Sequence, residues 1–219
     1  MSNLVLIPSI IKTPNTPLSY TNTRSVYSHQ ERYEQTKKTI QSVRDKIPNV
    51  KIFIVECSDL DHEQTTFFKT TSDYFINLYD NISLKNNIHS ISKSLGEGTM
   101  TYYALEYILT NNIEFDNLFK ITGRYSISDN FNYEHYNNND IVIKYIEGNK
   151  DNVFTSLYKL PKQAIVHFKD FLQNNFNEMI KCIGYEVLFA MFLKSFDVKN
   201  IEILGVSGNI SVCGEYFTV

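Results

Sequence analysis

The sequence predicts an α/β fold: a mostly parallel central sheet flanked by helices, followed by a mixed α+β C-terminal half. Three observations carry this expectation. Leu4 to Ile11 and Val50 to Val55 are continuous apolar or β-branched runs, the pattern of strands buried on both faces. Between them lies a segment with three- and four-residue apolar spacing, so the chain reads strand, helix, strand, a right-handed βαβ unit. Beyond Tyr125 the alternation gives way to closely spaced strand-like runs and two late helices.

The segment from Pro14 to Tyr27 is almost entirely polar and reads as a long surface loop able to cover a site. Ser28-His29-Gln30-Glu31 has the form of a capping box. Tyr33, Thr36, Ile40, Val43 and Ile47 then share one helical face until Pro48 ends the pattern. After a polar connection, Tyr74 to Tyr79 is strand-like. Leu95-Gly96-Glu97-Gly98 reads as a turn leading into a helix with Met100, Tyr103, Ala104, Tyr107 and Ile108 on one face. Leu118 to Ile121 is the next strand, stopping at Thr122-Gly123-Arg124-Tyr125. Ile141 to Ile146 and Val153 to Leu157 read as strands near an Asn-rich turn. Pro161 to Phe176 and Tyr185 to Phe196 read as helices, and Leu204 to Phe217 as a terminal hairpin.

A chain of 219 residues buries a full core as one domain, 1–219. An apolar fraction of 42% and a charged fraction of 21% exclude disorder as a description of the whole. The net charge of −3, with both signs interleaved and no Lys/Arg block, argues against nucleic acid as a partner. Cys57, Cys182 and Cys213 have the spacing of neither a zinc site nor a disulfide framework, which points to a reducing, cytoplasmic setting. No apolar run reaches the roughly 20 residues that cross a bilayer, and Met1-Ser2-Asn3 lacks the basic region of a signal peptide. The expectation is a soluble protein without membrane insertion.

Open parallel sheets bind ligands beyond the carboxyl ends of their strands, so the turns after Ile11, Val55, Leu78 and Ile121 should converge on one site. Pro8 and Ser9 close the first strand there. Glu56 and Ser58 follow the second, where an acid or hydroxyl can reach a ribose or base edge, although such residues are more often capping groups. Lys93, Gly96, Glu97 and Gly98 precede a helix and suit an anion such as a diphosphate; the spacing is neither a P-loop nor a dinucleotide fingerprint, and a plain turn fits equally. Lys120, Gly123 and Arg124 bring two cations to the strand edge, where they could neutralise a leaving diphosphate or form a structural ion pair. Glu186 opens an apolar helix. With Val187, Leu188, Met191 and Phe192 packing inward, partial burial would raise it toward a general base. Asp129 and Asp140 are the reserve carboxylates. The five histidines show no metal-ligand spacing, and no nucleophile elbow is present.

The run Ser28 to Thr36 with its Arg32, the strand Ile52 to Ser58 with its Glu56, the segments Lys93 to Gly98 and Lys120 to Tyr125, and the closing Gly205 to Ser211 together resemble small GT-A-type glycosyltransferases. The likeness is to those encoded by large DNA viruses of algae and amoebae, including the amino-terminal domain of a chlorella-virus capsid-glycan glycosyltransferase. The resemblance implies a Rossmann-like GT-A domain, with 1–125 as the nucleotide-sugar half and 126–219 as the acceptor side. It implies a UDP- or GDP-linked donor, a glycan or glycoprotein acceptor, and often Mn²⁺ or Mg²⁺. By position, Glu56 would face the nucleoside, Lys93 to Gly98 the donor sugar and diphosphate, and Glu186 the acceptor hydroxyl. In such enzymes an Asp-x-Asp after the central strand usually holds the metal. Here that place reads Thr122-Gly123-Arg124, which puts metal dependence in question and suggests Lys120 and Arg124 as the substitute charge. Two other readings stay open: a sugar nucleotidyltransferase, which needs a Gly-rich basic loop after the first strand where Pro8-Ser9-Ile10 stands, and a non-catalytic glycan- or protein-binding module.

Overall fold

A computed structural model describes residues 1–219. Strand β1 (Asn3–Ser9) pairs in parallel with β2 (Val50–Glu56) on one side and β4 (Asn117–Ile121) on the other. β3 (Tyr74–Asn77) extends the sheet beyond β2, also in parallel. Past β4, β9 (Leu157–Pro161) runs antiparallel, followed by β6 (Ile141–Ile143) and β10 (Val198–Asn200), which are parallel to each other. The seven-stranded order is β10-β6-β9-β4-β1-β2-β3.

Winding runs from β1 outward to β3 and then returns to β4 on the opposite flank. Because crossovers are right-handed, helices before and after that reversal must cover opposite faces. Helices α1 (His29–Lys46) and α2 (His62–Thr71) pack on the face carrying Val5, Ile7, Ile52, Ile54 and Phe119. Helices α3 (Ile82–Ile88), α4 (Lys93–Thr110), α5 (Ile165–Asn174), α6 (Phe176–Ile180) and α7 (Tyr185–Leu193) pack on the face carrying Leu4, Leu6, Phe53, Val55 and Leu118. Both faces are apolar because both are covered, which is why the strands read as unbroken apolar runs. A small sheet β12-β11-β5 joins Tyr125–Ile127 (β5) to a terminal hairpin of Val206–Asn209 (β11) and Tyr216–Thr218 (β12). Tyr145–Ile146 (β7) and Asn149–Val153 (β8) form a short outlying hairpin.

The capping box at Ser28 forms as expected, with Ser28 Oγ accepting from the Glu31 amide and Glu31 accepting from the Ser28 amide. Several sequence expectations are corrected. The Leu95–Gly98 segment is no turn: α4 begins at Lys93, capped by Ser92, and both glycines lie inside its first turns. The polar connection before Tyr74 contains helix α2, and helix α3 follows β3 with no sequence signal of its own; each buries only two side chains, too few to show a periodicity. The central strand β9 was hidden by its own residues, since Lys159 is fully buried and satisfied only by the carbonyl and side-chain oxygens of Asn138 at 2.8 and 2.9 Å. In α7 the inward face is Tyr185, Leu188, Phe189, Phe192 and Leu193, and Met191 points to solvent.

The two helical glycines are packing residues. A Cβ on Gly96 would stand 2.8 Å from the Ile88 carbonyl oxygen, and one on Gly98 would overlap Met179 Sδ at 2.2 Å. The Ile88 oxygen belongs to backbone and cannot rotate aside. Gly96→Ala should therefore destabilise the fold by about 1–3 kcal/mol, the range for overpacking, read by chemical denaturation.

Candidate active site

The reversal between β1 and β4 opens a crevice at their carboxyl ends, where open α/β sheets take ligands. Pro8, Ser9 and Ile10, at the end of β1 and just past it, form one wall of a cleft, and Lys120, Thr122 and Gly123, at the end of β4 and just past it, form the other. Gly123 lets the two walls meet: its amide donates to the Pro8 carbonyl at 3.1 Å, and a Cβ there would come within 2.8 Å of that oxygen. The buried Thr36 hydroxyl of α1 donates to the Gly123 carbonyl at 2.7 Å and fixes the turn from below. α4 contributes Lys93, Gly96 and Glu97, and the long loop after β1 contributes Tyr20 and Arg24. Ile210, Ser211 and Val212 close the cleft from the second half of the chain.

Three of the chain's four arginines line this cleft: Arg24, Arg32 and Arg124. No carboxylate pairs with any of them, and neutral oxygens hold each in place. Arg32, at 6% exposure, donates from Nε to the Ile10 carbonyl at 2.7 Å and from Nη1 to the hydroxyls of Ser25 and Ser211 at 3.2 and 3.0 Å. Arg24 donates to the carbonyls of Thr16, Ile88, His89 and Ser90. Arg124 donates to the Asn209 carbonyl at 3.0 Å and lies 5.2 Å from the Tyr125 ring centre. Burial and repulsion from Arg124 and Arg24, partly offset by Glu56, push the Arg32 guanidinium down to about 9. Burial likewise lowers Arg24. A cluster of like charges without counter-ions is a receptor for an anion.

The lysines are in a different state. Lys120 is 1% exposed and ion-paired to Glu97; its ammonium also donates to the Thr155 carbonyl at 2.8 Å and sits near the Tyr158 and Tyr185 rings. The expected Lys120–Arg124 cation pair is thus corrected: Glu97 neutralises Lys120, and the partners of Arg124 in free charge are Arg24 and Arg32. Lys93 bridges to Glu186, with Nζ 3.3 Å from Oε1. Glu186 lines an adjoining recess that shares Lys93 and Tyr20 with the main cleft. Burial alone would raise the Glu186 carboxyl, as anticipated, but Lys93, the residue's own amide and Lys120 outweigh it and hold the carboxyl below its usual range. Glu186 is therefore ionised.

Other candidates lie off the cleft. Asp129 is a fully exposed side chain bonded to Lys46 at 2.8 Å, near the far end of α1, and Asp140 is exposed beside the Asn-rich turn. Gly98 packs on Met179. Glu56 and Ser58 are completely buried behind the wall. Glu56 Oε1 accepts from the Ile11 and Cys57 amides at 3.2 and 2.9 Å and from Ser58 Oγ at 2.6 Å, while Ser58 Oγ accepts from the Lys12 amide at 2.9 Å. The pair pins the start of the loop rather than facing a ligand, and Glu56 Oε2 has no partner.

Burial raises the Glu56 carboxyl from 4.5 to about 7 against the opposing hydrogen bonds from Ser58, Ser9 and the Cys57 and Ile11 amides. The folded protein then binds a proton that the unfolded chain has released, so stability falls as pH rises from the unfolded value through the folded one. Relative to Glu56→Gln, the native protein should lose about 3 kcal/mol between pH 4.5 and 7 and little more above. Urea denaturation of both forms across this window checks it.

The residues do not suit a carboxylate-held divalent cation. Glu97 and Glu186 are committed to lysines, and the Asp-x-Asp triplet of the chain, Asp59-Leu60-Asp61, uses Asp61 as the N-cap of α2, away from the cleft. No group of three His, Cys, Asp or Glu side chains is placed to hold an ion. Sequence reasoning missed Arg24, Tyr20 and Ser211, which lie in loops without periodicity. For Arg24 the available signal was the scarcity of arginine and its place in the long polar loop that the sequence marks as able to cover a site.

No protein-family model matches the sequence, and no curated protein sequence matches it. Solved structures do. The apo-form glycosyltransferase GlyE of Streptococcus pneumoniae TIGR4 superposes with a TM-score of 0.52 at 9% identity, over 92% of this chain and 45% of that one. Apo mouse xyloside xylosyltransferase 1 superposes with a TM-score of 0.50 at 9% identity, over 91% of this chain and 85% of that one. The chain has the fold of these glycosyltransferases and spans less than half the length of the pneumococcal protein. No helix is long and apolar enough to cross a membrane.

Proposed function

We propose that the protein is a glycosyltransferase that moves a sugar from a UDP- or GDP-linked donor to a hydroxyl of a glycan or glycoprotein acceptor. One observation carries the reading: in a fold shared with glycosyltransferases, three arginines without acidic partners converge at the carboxyl ends of β1 and β4. A diphosphate is the ligand chemistry that satisfies them. The donor binds chiefly to 1–125 and the acceptor enters from the side of 126–219, the whole acting as one unit. The acceptor hydroxyl attacks the anomeric carbon as the bond to the diphosphate breaks, and its proton passes to Glu186, inverting the sugar. Tyr20, 61% exposed and shared by the cleft and the recess, offers a ring face to donor or acceptor.

A thermal-shift series with UDP, GDP and their sugar conjugates tests this. One nucleoside diphosphate and its conjugate should stabilise together, by about 2.7 kcal/mol at a hundredfold excess over Kd. Stabilisation by a nucleoside triphosphate with a sugar 1-phosphate, but not by the conjugate, would indicate sugar-nucleotide synthesis instead. No shift with any nucleotide would leave a binding module.

A further inference from the structure

Direct displacement leaves the electron pair of the broken bond on the β-phosphate oxygen, so negative charge grows on the diphosphate as the new bond to the acceptor oxygen forms. Something positive must stand there already. Of the five cations lining the cleft, Lys120 and Lys93 are neutralised by Glu97 and Glu186. The other three are not. Arg24, Arg32 and Arg124 come from three separate segments and are each anchored by neutral oxygens, which orients them without consuming their charge. Arg32 Nη2 and the Nε and Nη2 groups of Arg124 donate to no protein atom, so N–H groups remain for an incoming ligand.

We infer that Arg24, Arg32 and Arg124 together neutralise the leaving diphosphate in place of a divalent cation. This rests on the glycosyl-transfer reading above and goes beyond it by assigning the electrophilic partner. A dication placed among three unpaired guanidiniums would be repelled, and the nearby carboxylates that could hold it are already paired. The trio also carries out both tasks of a metal at such a site, since guanidinium forks bind phosphoryl oxygens in a fixed geometry and bring net positive charge.

Calorimetric titration of the 219-residue chain with UDP, GDP and inorganic pyrophosphate, in EDTA and again with Mn²⁺ or Mg²⁺, tests the assignment. At least one nucleoside diphosphate, and pyrophosphate itself, should bind in EDTA with an affinity that added metal leaves essentially unchanged. Arg124→Gln, the variant with the fewest structural bonds to lose, should weaken pyrophosphate by roughly 10- to 100-fold, the loss expected for a charge-assisted contact. Its melting temperature should stay that of the native protein. Arg24→Gln should weaken binding in the same direction, and Arg44→Gln, outside the cleft, should not. Nucleotide binding that requires metal would overturn this inference and leave the transferase reading standing. Binding in EDTA that is indifferent to Arg24→Gln and Arg124→Gln would overturn the assignment of the trio. Failure of every probe under both conditions would overturn the inference and the transferase reading together.

Discussion

Glu186→Gln is expected to lower turnover by about 10²- to 10⁴-fold, the contribution of a positioned general base, while nucleotide affinity stays near that of the native protein. Glutamine keeps the shape and can still accept from Lys93, but it cannot take the proton of the attacking hydroxyl. Lys93, left without its carboxylate, is half exposed and tolerates the loss. The shifted ionisation adds a second signature. Because Lys93 and Lys120 hold Glu186 below the usual carboxylate range, the acid limb of the kcat/KM profile should lie below that range as well. Native-like turnover in the glutamine variant would remove Glu186 as the base and make Glu97, the other carboxylate at the cleft, the next to substitute.

Glu97→Gln should act on stability before it acts on chemistry. Lys120 is 1% exposed, and Glu97 at 15% is its only ionic partner. Removing the carboxylate strands a buried ammonium beside the Thr155 carbonyl and two tyrosine rings, a loss of about 3–5 kcal/mol. For a chain of this size that is a fall in melting temperature of roughly 6–20 °C. Adding Lys120→Met removes the stranded charge and should recover most of the loss, because a buried pair replaced by apolar atoms is often neutral. A single variant that melts like the native protein would mean that the pair contributes nothing to the fold.

The two effects separate stability from function within one small region. Lys120 and Glu97 come from β4 and α4 and brace the wall of the cleft. Arg24, Arg32 and Arg124 carry the free charge that opens onto it. Sequence alone offered Lys120 and Arg124 at a strand end, Glu97 before a helix and Arg32 on the first helix, left Arg24 unmarked in the long loop, and could not distinguish a neutralised cation from a free one. That difference depends on which carboxylate lies within reach, a property of packing between elements distant in the chain.

Local pattern determined much of the architecture. The runs at Leu4 and Val50 wrote the parallel strands, because strands covered on both faces have no polar alternation to hide them. The Ser28 box set the start of α1 through contacts four residues apart at most, and the clustered glycines near the C-terminus marked the hairpin. From these elements the crevice at the strand ends followed by topology. Tertiary structure alone decided the rest: that Gly96 and Gly98 serve helix packing, that Glu56 is a buried anchor, that Asp129 faces solvent, and that Arg24 joins two arginines from elsewhere in the chain. The division has a single physical cause. Hydrophobic periodicity and end-capping are short-range and survive in a one-dimensional string, whereas charge neutralisation and burial are sums over neighbours that only the folded chain assembles.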